Sequence, residues 1–164
     1  GEVYRHANNP YVNDWLIRLR QTVTHAEQIP KGPLGARTII RLMKENKFIA
    51  MLTDQKMNDG VEARFFGLRA MSPSAPAGLA IRYNTPIVPA FIERLEGAHF
   101  RVTVYDPIVA RQDADPGAEL LRITQEINDF LEARIRERPE QWLWLHDRWS
   151  DKQWTQRKKL AQRG

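Results

Sequence analysis

Apolar residues recur at helical spacing in several segments of the chain. In the first segment, Asn9 supplies an N-cap and Pro10 stands at the first helical position, so a helix is predicted over residues 10–22. Further helices are predicted from about residue 36 to residue 45, over residues 74–83 and over residues 116–138. The last has the clearest amphipathic pattern, with one face formed by Leu120, Ile123, Ile127, Phe130, Leu131 and Ile135.

Strand-type patterns occupy three other segments. Residues 48–53 form a continuous apolar run typical of a buried strand, and this run leads directly into Asp54 and Gln55. Residues 86–93 and 100–105 have high β-propensity, and the glycine-containing segment between them predicts an antiparallel hairpin. Residues 56–62 are predicted as a loop and residues 64–67 as a short extended segment.

The order of these elements is that of a mixed α/β layer rather than of a helical bundle or a β-sandwich. We therefore predict an α/β fold with a mixed sheet flanked by helices, in one domain over residues 1–150 that is followed by a basic tail over residues 151–164. The first predicted strand begins only at residue 48, and three strands make a thin sheet for this number of helices. Because the sequence also opens with Gly1 and lacks the pattern of a signal peptide, we expect the sheet to be incomplete at the N-terminus, with further strands upstream.

The composition excludes several classes of protein. The 164 residues are 42% hydrophobic and 27% charged, which allows a buried core and argues against disorder. The absence of cysteine excludes a disulfide scaffold, thiolate chemistry and any metal site with cysteine ligands. No run approaches the roughly 18 to 20 apolar residues that a membrane-spanning helix requires.

The net charge of +5 is concentrated at the end of the chain. Residues 1–131 contain 16 basic and 15 acidic residues, whereas residues 132–164 contain 9 basic and 5 acidic ones. Within that end, the basic residues are interleaved with Trp142, Trp144, Trp149 and Trp154. This mixture fits a membrane interface or a nucleic-acid backbone, and it also fits a packing segment anchored by tryptophan and followed by a solvated basic tail.

Three charged residues are candidates for binding a substrate. Asp54 follows a predicted strand, and ligands of open α/β sheets bind outside the carboxyl ends of strands, although an aspartate there also often caps a loop. Arg5 precedes the first helix, whose N-terminus favours anions, and the neighbouring Asn8 and Asn9 offer further donors. Arg94 likewise follows an apolar run and suits phosphate or carboxylate, but a single arginine is more often a plain surface charge.

One histidine has the spacing of a known catalytic pair. His146 and Asp151 form an H-x4-D pattern, which acyltransferases use when the histidine is a general base held by the carboxylate. We interpret the match as chance, because the segment is rich in tryptophan and charge and no buried strand precedes it. The sequence contains neither a nucleophile elbow, a glycine-rich phosphate loop nor a histidine cluster with metal-ligand spacing. The residue patterns alone therefore name no reaction.

Six short blocks occur in an order that resembles one protein family. They are residues 3–10 (VYRHANNP), 52–55 (LTDQ), 65–67 (FFG), 79–82 (LAIR), 84–91 (NTPIVPAF) with Arg94 after them, and 139–146 (PEQWLWLH). In this order they resemble the bacterial lipid A biosynthesis acyltransferases, the lauroyl and myristoyl transferases that add secondary acyl chains. The resemblance extends from Val3 to about Trp149.

The resemblance implies a glycerolipid-acyltransferase-like α/β fold and transfer of an acyl chain from acyl carrier protein to a hydroxyl of a Kdo-bearing lipid A precursor. The implied partners are acyl carrier protein, a phosphorylated glycolipid acceptor and a membrane surface, with no nucleic acid. The implied location is the cytoplasmic face of the bacterial inner membrane. The acyl donor is a substrate, and neither a cofactor nor a metal is implied.

The resemblance also assigns roles to residues. The general base of the family is the histidine of an H-x4-D/E motif, which we expect upstream of Gly1, so that no catalytic residue is assigned within the chain and the isolated chain is expected to be inactive. Arg5, Asp54, Gln55 and Arg94 match family blocks and are implied to bind substrate. The length of the acyl chain, the acceptor hydroxyl and the choice between acyl carrier protein and coenzyme A as donor stay open.

Two alternatives remain beside this hypothesis. One is a non-catalytic remnant of an acyltransferase that binds anionic lipid through its basic end. The other is a basic nucleic-acid-binding domain, against which the near-neutral first 131 residues argue.

Overall fold

The computed structural model describes residues 1–143 and 147–149 of the chain. The backbone divides after Leu52 into an N-terminal unit, Gly1–Leu52, and a C-terminal unit, Thr53–Gly164. Each unit has its own secondary structure and its own buried side chains.

The N-terminal unit alternates short strands and helices. Its elements are β1 (Glu2–Tyr4), α1 (Pro10–Val23), β2 (Gln28–Pro30) and α2 (Pro33–Lys44). The two strands pair in parallel, with Val3 opposite Ile29. Ile29 is fully buried and Leu42 of α2 is 5% exposed, so these two side chains form the interior of the unit.

Both helices of this unit confirm the sequence prediction. The side-chain Oδ1 of Asn9 accepts hydrogen bonds from the backbone N–H groups of Tyr11 and Val12 at 2.9 and 3.3 Å, as an N-cap residue does. Helix α2 begins at Pro33, three residues before the predicted start, because the proline supplies the fixed φ that a first helical turn requires.

The strand predicted over residues 48–53 is wrong. Only Ala50 pairs with β1, as an isolated bridge to Glu2, while Phe48 is 93% and Leu52 is 87% exposed. An apolar run indicates burial but does not supply a pairing partner. Here only Ala50 finds one, so the rest of the run is irregular. The first strands of the structure, β1 and β2, instead precede this run. The sequence did not predict them, because each has only three residues and is too short to produce a periodic pattern.

The C-terminal unit begins with a hairpin of β3 (Val61–Phe65) and β4 (Leu68–Ser72). Phe66 and Gly67, with φ angles of 52° and 73°, form its two-residue turn, and positive φ at both positions is the requirement of a type I′ turn. The predicted loop over residues 56–62 thus extends slightly too far. No strand is predicted over β4, because none of its five residues is β-branched or aromatic.

The second hairpin consists of β5 (Ala90–Arg94) and β6 (Phe100–Val104), and its antiparallel pairing confirms the prediction. The strand begins at Ala90 rather than at residue 86, because Ile87 forms only an isolated bridge to Ile108. One face of the hairpin is solvent-exposed, with Ile92, Val102 and Val104 exposed by 61, 61 and 64%.

Two helices complete the unit and confirm their predictions, α3 (Ala75–Tyr83) and α4 (Pro116–Glu137). The apolar face of α4 lies against two clusters of buried side chains. Ile123 and Ile127 pack with Ala77, Ala80 and Ala110, whereas Ile135 packs with Phe65, Ala70 and Trp149. A short 3₁₀ helix, Pro139–Gln141, follows α4.

The α/β class is therefore confirmed, but the strands are arranged differently from the expectation. In the described residues they form three separate two-stranded sheets, one parallel and two antiparallel, instead of one continuous mixed sheet. Within the same part of the chain, no helix combines the length and the apolar character needed to cross a membrane.

The first turn of α4 contains a buried carboxylate. Glu119 is 2% exposed and accepts hydrogen bonds from the Arg122 guanidinium at 2.6 and 2.8 Å and from the backbone N–H of Arg111 at 2.7 Å. These hydrogen bonds lower the pKa of Glu119 to about 2, and the bond from Arg122 has the largest effect. Arg122 also donates to the carbonyl of Val109 at 2.9 Å, so the pair connects α4 to the segment before it.

We predict that Ile123→Ala lowers the free energy of unfolding by about 2 to 5 kcal/mol, because the fully buried side chain leaves a cavity between α4 and α3. Leu121→Ala on the same helix is the control, because Leu121 is 42% exposed and its loss should cost less than about 1 kcal/mol. Urea unfolding measures both values, and equal effects of the two variants would contradict the packing described for α4.

A second prediction concerns acid stability. Because the folded-state pKa of Glu119 is below the ordinary value of 4.5, its ionised form stabilises the fold above about pH 4.5, and this stabilisation is lost as the pH falls toward 2. Glu119→Gln should lower stability at neutral pH and flatten the loss between pH 4.5 and 2. Urea unfolding over that range tests it against Glu126→Gln, whose carboxylate is half exposed beside the same arginine. Parallel pH curves for wild type and Glu119→Gln would refute it.

Candidate functional site

Asp54 lies in the irregular segment before β3 and is half-buried. The indole Nε1 of Trp142 donates a hydrogen bond to its Oδ2 at 3.3 Å, and the Nε of Arg148 donates to its main-chain oxygen at 3.0 Å. The expectation that Asp54 ends a strand fails together with that strand. Its position is instead set by two side chains from near the end of the chain.

Arg148 is the centre of this arrangement. It is 2% exposed, and its two terminal nitrogens donate to the carbonyl of Met71 at 2.7 Å, to Ser72 Oγ at 3.0 Å and to Asn128 Oδ1 at 3.3 Å. Its Cζ also lies 4.9 Å from the centroid of the Phe65 ring. Burial lowers the pKa of Arg148 to about 10, while the negative charge of Asp54 acts to raise it. The guanidinium therefore stays charged at neutral pH.

The acceptors around Arg148 are themselves hydrogen-bonded. Asn128 donates from its Nδ2 to Ser72 Oγ and to the carbonyl of Arg64, both at 2.9 Å. Ser72 in turn donates from its Oγ to the carbonyl of Ala70 at 3.0 Å. Since Ser72 and Asn128 are both essentially buried, these mutual bonds satisfy polar atoms that water does not reach.

Glycine is required beside this network. A Cβ added to Gly60 would lie 2.0 Å from the carbonyl oxygen of Ser72, well inside contact distance. The close approach brings the start of the first hairpin against the end of its second strand.

The described tryptophans of the C-terminal segment are packing residues. Trp149 is 7% exposed, stacks on Phe65 with ring centroids 5.8 Å apart, and donates from Nε1 to the Phe65 carbonyl at 2.9 Å. The Trp142 ring meets Phe65 edge-on at 5.8 Å. The packing interpretation is thus confirmed for these two residues. Trp144, Trp154, the H-x4-D pair His146 and Asp151, and the basic residues beyond 150 lie outside the described residues.

Arg94 ends β5 and is exposed. Its Nε donates to the Gly97 carbonyl at 2.7 Å, and its Cζ lies 6.0 Å from the Phe100 ring centroid, so part of the side chain stabilises the hairpin turn. Its backbone N–H and carbonyl pair with the side-chain amide of Gln141 at 2.9 and 3.0 Å. Its NH1 and NH2 make no hydrogen bond to any other described residue.

Consecutive residues of one segment therefore contact two of the predicted site residues. Gln141 binds the backbone of Arg94, and Trp142 binds the carboxylate of Asp54. Gln55 is next to Asp54 and is exposed. The structure thus connects Asp54, Gln55 and Arg94 through the segment that follows α4.

Arg5 belongs to the N-terminal unit, directly after β1, and is exposed. In the part of the chain that the structure describes, its guanidinium forms neither a hydrogen bond nor an ion pair. The Oδ1 of the nearby Asn9 is used to cap α1. Arg5 is therefore an unpaired cation of its own unit.

Sequence reasoning missed the residues that hold the site, above all Arg148, Ser72 and Asn128. One signal was present in the sequence. Asn128 follows Thr124 by four residues on the apolar face of α4, and both are 1% exposed, so polar residues interrupt the face that packs inward. Polar residues in such positions indicate a buried hydrogen-bond network.

The site can bind hydrogen-bonding and anionic groups. Asp54 has its Oδ1 without a partner among the described residues, and Arg94 has two nitrogens in the same condition. Within residues 1–143 and 147–149, no histidine pairs with a carboxylate, and no group of three His, Cys, Asp or Glu could hold a metal ion. The described residues thus offer binding groups, and among them there is no histidine–carboxylate pair to act as a general base.

Comparison with known proteins adds one match. A family model described as bacterial lipid A biosynthesis acyltransferase matches residues 1–151, which is most of the chain and includes every residue of the candidate site. None of the curated proteins matches the chain.

We predict that Arg148→Met lowers the free energy of unfolding by about 2 to 4 kcal/mol, because several buried acceptors lose their donor at once. Arg101→Met is the control, because Arg101 is exposed on β6 and its loss should change stability by less than about 0.5 kcal/mol. Urea unfolding measures both.

The same variant has a local readout. The indole N–H resonance of Trp142 should shift in Arg148→Met, because Asp54 loses the contact that holds its main chain. An Arg148→Met protein that unfolds like Arg101→Met and keeps the Trp142 resonance unchanged would show that the network does not position Asp54.

Proposed function

The chain belongs to the bacterial lipid A biosynthesis acyltransferase family, and from this membership we propose that it serves the transfer of a fatty acyl chain from acyl carrier protein to a hydroxyl of a Kdo-bearing lipid A precursor. The observation that carries the proposal is the match over residues 1–151. Family membership supports acyltransferase chemistry in general, and the donor and the acceptor are the specific content of the proposal.

In the proposed step, the acceptor hydroxyl oxygen attacks the carbonyl carbon of the acyl thioester. A C–O ester bond forms, the C–S bond breaks, and the hydroxyl proton passes through a general base to the departing thiol. The step consumes no cofactor and forms no covalent intermediate on the protein. We assign the residues of this chain to binding the substrate rather than to proton transfer.

Asp54 is proposed to bind the sugar portion of the acceptor. Its Oδ2 is engaged by Trp142, and its Oδ1 has no hydrogen bond within the described residues, so this oxygen is placed to accept one from a hydroxyl. Gln55 is exposed beside it and offers both a donor and an acceptor.

Arg94 and Arg5 are proposed to bind phosphate groups of the acceptor. The Nε of Arg94 is fixed by Gly97, which leaves two parallel N–H groups for an anion, and arginine binds phosphate bidentately. Arg5 has its whole guanidinium available in the N-terminal unit. Both residues lie inside the matched range.

The proposed partners and location follow from the acceptor. Because the acceptor is a lipid, we propose that the protein works on a membrane surface, at the cytoplasmic face of the bacterial inner membrane, and meets acyl carrier protein there.

The test uses the whole open reading frame that encodes this chain. The purified product is incubated with acyl carrier protein bearing an acyl chain and with a Kdo-bearing lipid A precursor, and mass spectrometry measures the gain of one acyl group. Asp54→Asn and Arg94→Gln should each lower kcat/KM by about 10- to 100-fold, the loss expected for one charge-assisted hydrogen bond. Arg101→Gln, on the opposite face of the same hairpin from Arg94, should leave the rate unchanged.

Two outcomes would count against the proposal. If the product transfers no acyl group but still binds the precursor, the non-catalytic lipid-binding alternative takes its place. If transfer occurs and the Asp54 and Arg94 variants match Arg101→Gln, the reaction is retained and the assignment of the substrate-binding residues fails. A parallel assay with an acyl coenzyme A separates the two possible donors.

A further inference from the structure

The turn between β3 and β4 has an unusual residue at its first position. Phe66 has a φ angle of 52°, in the left-handed region, and Gly67 follows it with a φ of 73°. A type I′ turn requires positive φ at both positions, and asparagine, aspartate and glycine are the residues that usually supply it. A bulky side chain is rare in this region, and its backbone is strained there. Such strain persists only where the surrounding contacts hold the backbone in place.

Helix α4 supplies these contacts. The backbone N–H of Phe66 donates a hydrogen bond to Oε1 of Glu132, whose side chain is 16% exposed. Arg136, one turn further along α4, places its Cζ 4.7 Å from the centroid of the Phe66 ring. An ion pair between Nη2 of Arg136 and Oε2 of Glu132, 3.6 Å apart, joins the two side chains. One pair of charged residues therefore contacts both the backbone and the ring of Phe66.

Phe65 directly precedes the turn, is fully buried and connects the turn to Asp54. Its ring meets the Phe66 ring edge-on with centroids 4.9 Å apart, and it contacts the Trp142 ring at 5.8 Å. The indole of Trp142 donates to the carboxylate of Asp54. The guanidinium of Arg148, 4.9 Å from the Phe65 ring centroid, donates to the Asp54 main chain. Both side chains that bind Asp54 thus pack on the residue before the strained turn.

We propose that Glu132 is a positioning residue of the candidate site, which holds Phe66 in its left-handed conformation and through this turn fixes the carboxylate of Asp54. Without the carboxylate of Glu132, the backbone of Phe66 relaxes toward negative φ, and the ring of Phe65 moves with it. The role of Asp54 in binding the acceptor rests on the proposed function. The position of Asp54 does not, and it is measured without acyl transfer.

A second carboxylate of α4 offers a matched control. Glu126 pairs with Arg122 at 2.7 Å, and the two are four residues apart, as Glu132 and Arg136 are. Glu126 is 47% exposed, and its carboxylate accepts no backbone N–H among the described residues. A comparison of Glu132 with Glu126 therefore separates the contact with the turn from the general effect of losing a paired carboxylate on the helix.

The experiment measures the indole N–H resonance of Trp142 in the purified chain. Glu132→Ala should shift this resonance, because the carboxylate of Asp54 moves relative to the indole. Glu132→Gln should restore the wild-type resonance, because the amide oxygen still accepts from the Phe66 N–H. Glu126→Ala should leave the resonance unchanged.

A second variant tests the strain directly and covers the case in which Glu132→Ala does not fold. Asparagine adopts positive φ readily, so the turn of Phe66→Asn should form without help from Glu132. Glu132→Ala added to Phe66→Asn should therefore leave the Trp142 resonance where Phe66→Asn alone places it. The comparison is a double-mutant cycle, in which the shift caused by Glu132→Ala depends on the residue at position 66.

Activity gives an independent readout. In the acyl-transfer assay of the whole reading-frame product, Glu132→Ala should lower kcat/KM by about 10- to 100-fold and Glu132→Gln should not, because a small displacement of a binding group is costly. If Glu132 acts through Asp54, the double variant Asp54→Asn/Glu132→Ala should be no slower than Asp54→Asn.

Several results would overturn the proposal. An unchanged Trp142 resonance in Glu132→Ala would do so, as would a Glu132→Gln variant that shifts it as far as Glu132→Ala does. Equal shifts from Glu132→Ala with phenylalanine and with asparagine at position 66 would show that the carboxylate does not restrain a strained turn. A double variant slower than Asp54→Asn would show that Glu132 does not act through Asp54. If the wild type transfers no acyl group, the proposed function fails, and the resonances alone decide whether Glu132 positions Asp54.

Discussion

The buried guanidinium of Arg148 is the interaction on which the C-terminal unit depends. It bonds to the main chain at Asp54 and Met71 and to the side chains of Ser72 and Asn128, so three separated parts of the sequence meet at this one side chain. Burial of a cation is unfavourable, and it is tolerated here because the planar fork finds an acceptor in each direction and an aromatic ring on its face. Lysine, with a single ammonium, could not satisfy this set of acceptors.

The segment that follows α4 also positions the residues of the candidate site. Gln141 pairs with the backbone of Arg94, Trp142 with the carboxylate of Asp54 and Arg148 with the Asp54 main chain. Gln125 makes the same kind of contact with β3. Its side-chain amide bonds to both the backbone N–H and the carbonyl of Arg64, at 2.8 and 3.1 Å. Side-chain amides from the helical part thus satisfy the exposed strand edges that would otherwise be open to pairing.

The distribution of basic and exposed aromatic residues over the two units differs from what the composition of the chain suggested. The excess of basic residues at the end of the chain suggested a membrane contact there, but the described tryptophans of that segment pack on Phe65. The N-terminal unit, with eight Lys and Arg against four Asp and Glu, combines a net charge of +4 with exposed aromatic side chains on α1. In the proposed function, Asp54 and Arg94 of the C-terminal unit bind the acceptor.

The sequence by itself determined the four helices, because a helix is encoded by neighbours, as Asn9 at the start of α1 and the apolar face of α4 illustrate. It also identified the β5–β6 hairpin, the family, and Asp54 and Arg94 as residues of interest. A strand needs a pairing partner, which a local pattern does not show, so the apolar run after residue 47 was wrongly predicted as a strand. The strands β1 and β2 were not predicted, because three residues are too few for a pattern. Only the tertiary structure decided what holds the site, because Arg148 lies 94 residues from Asp54, and no local pattern records a contact across such a separation.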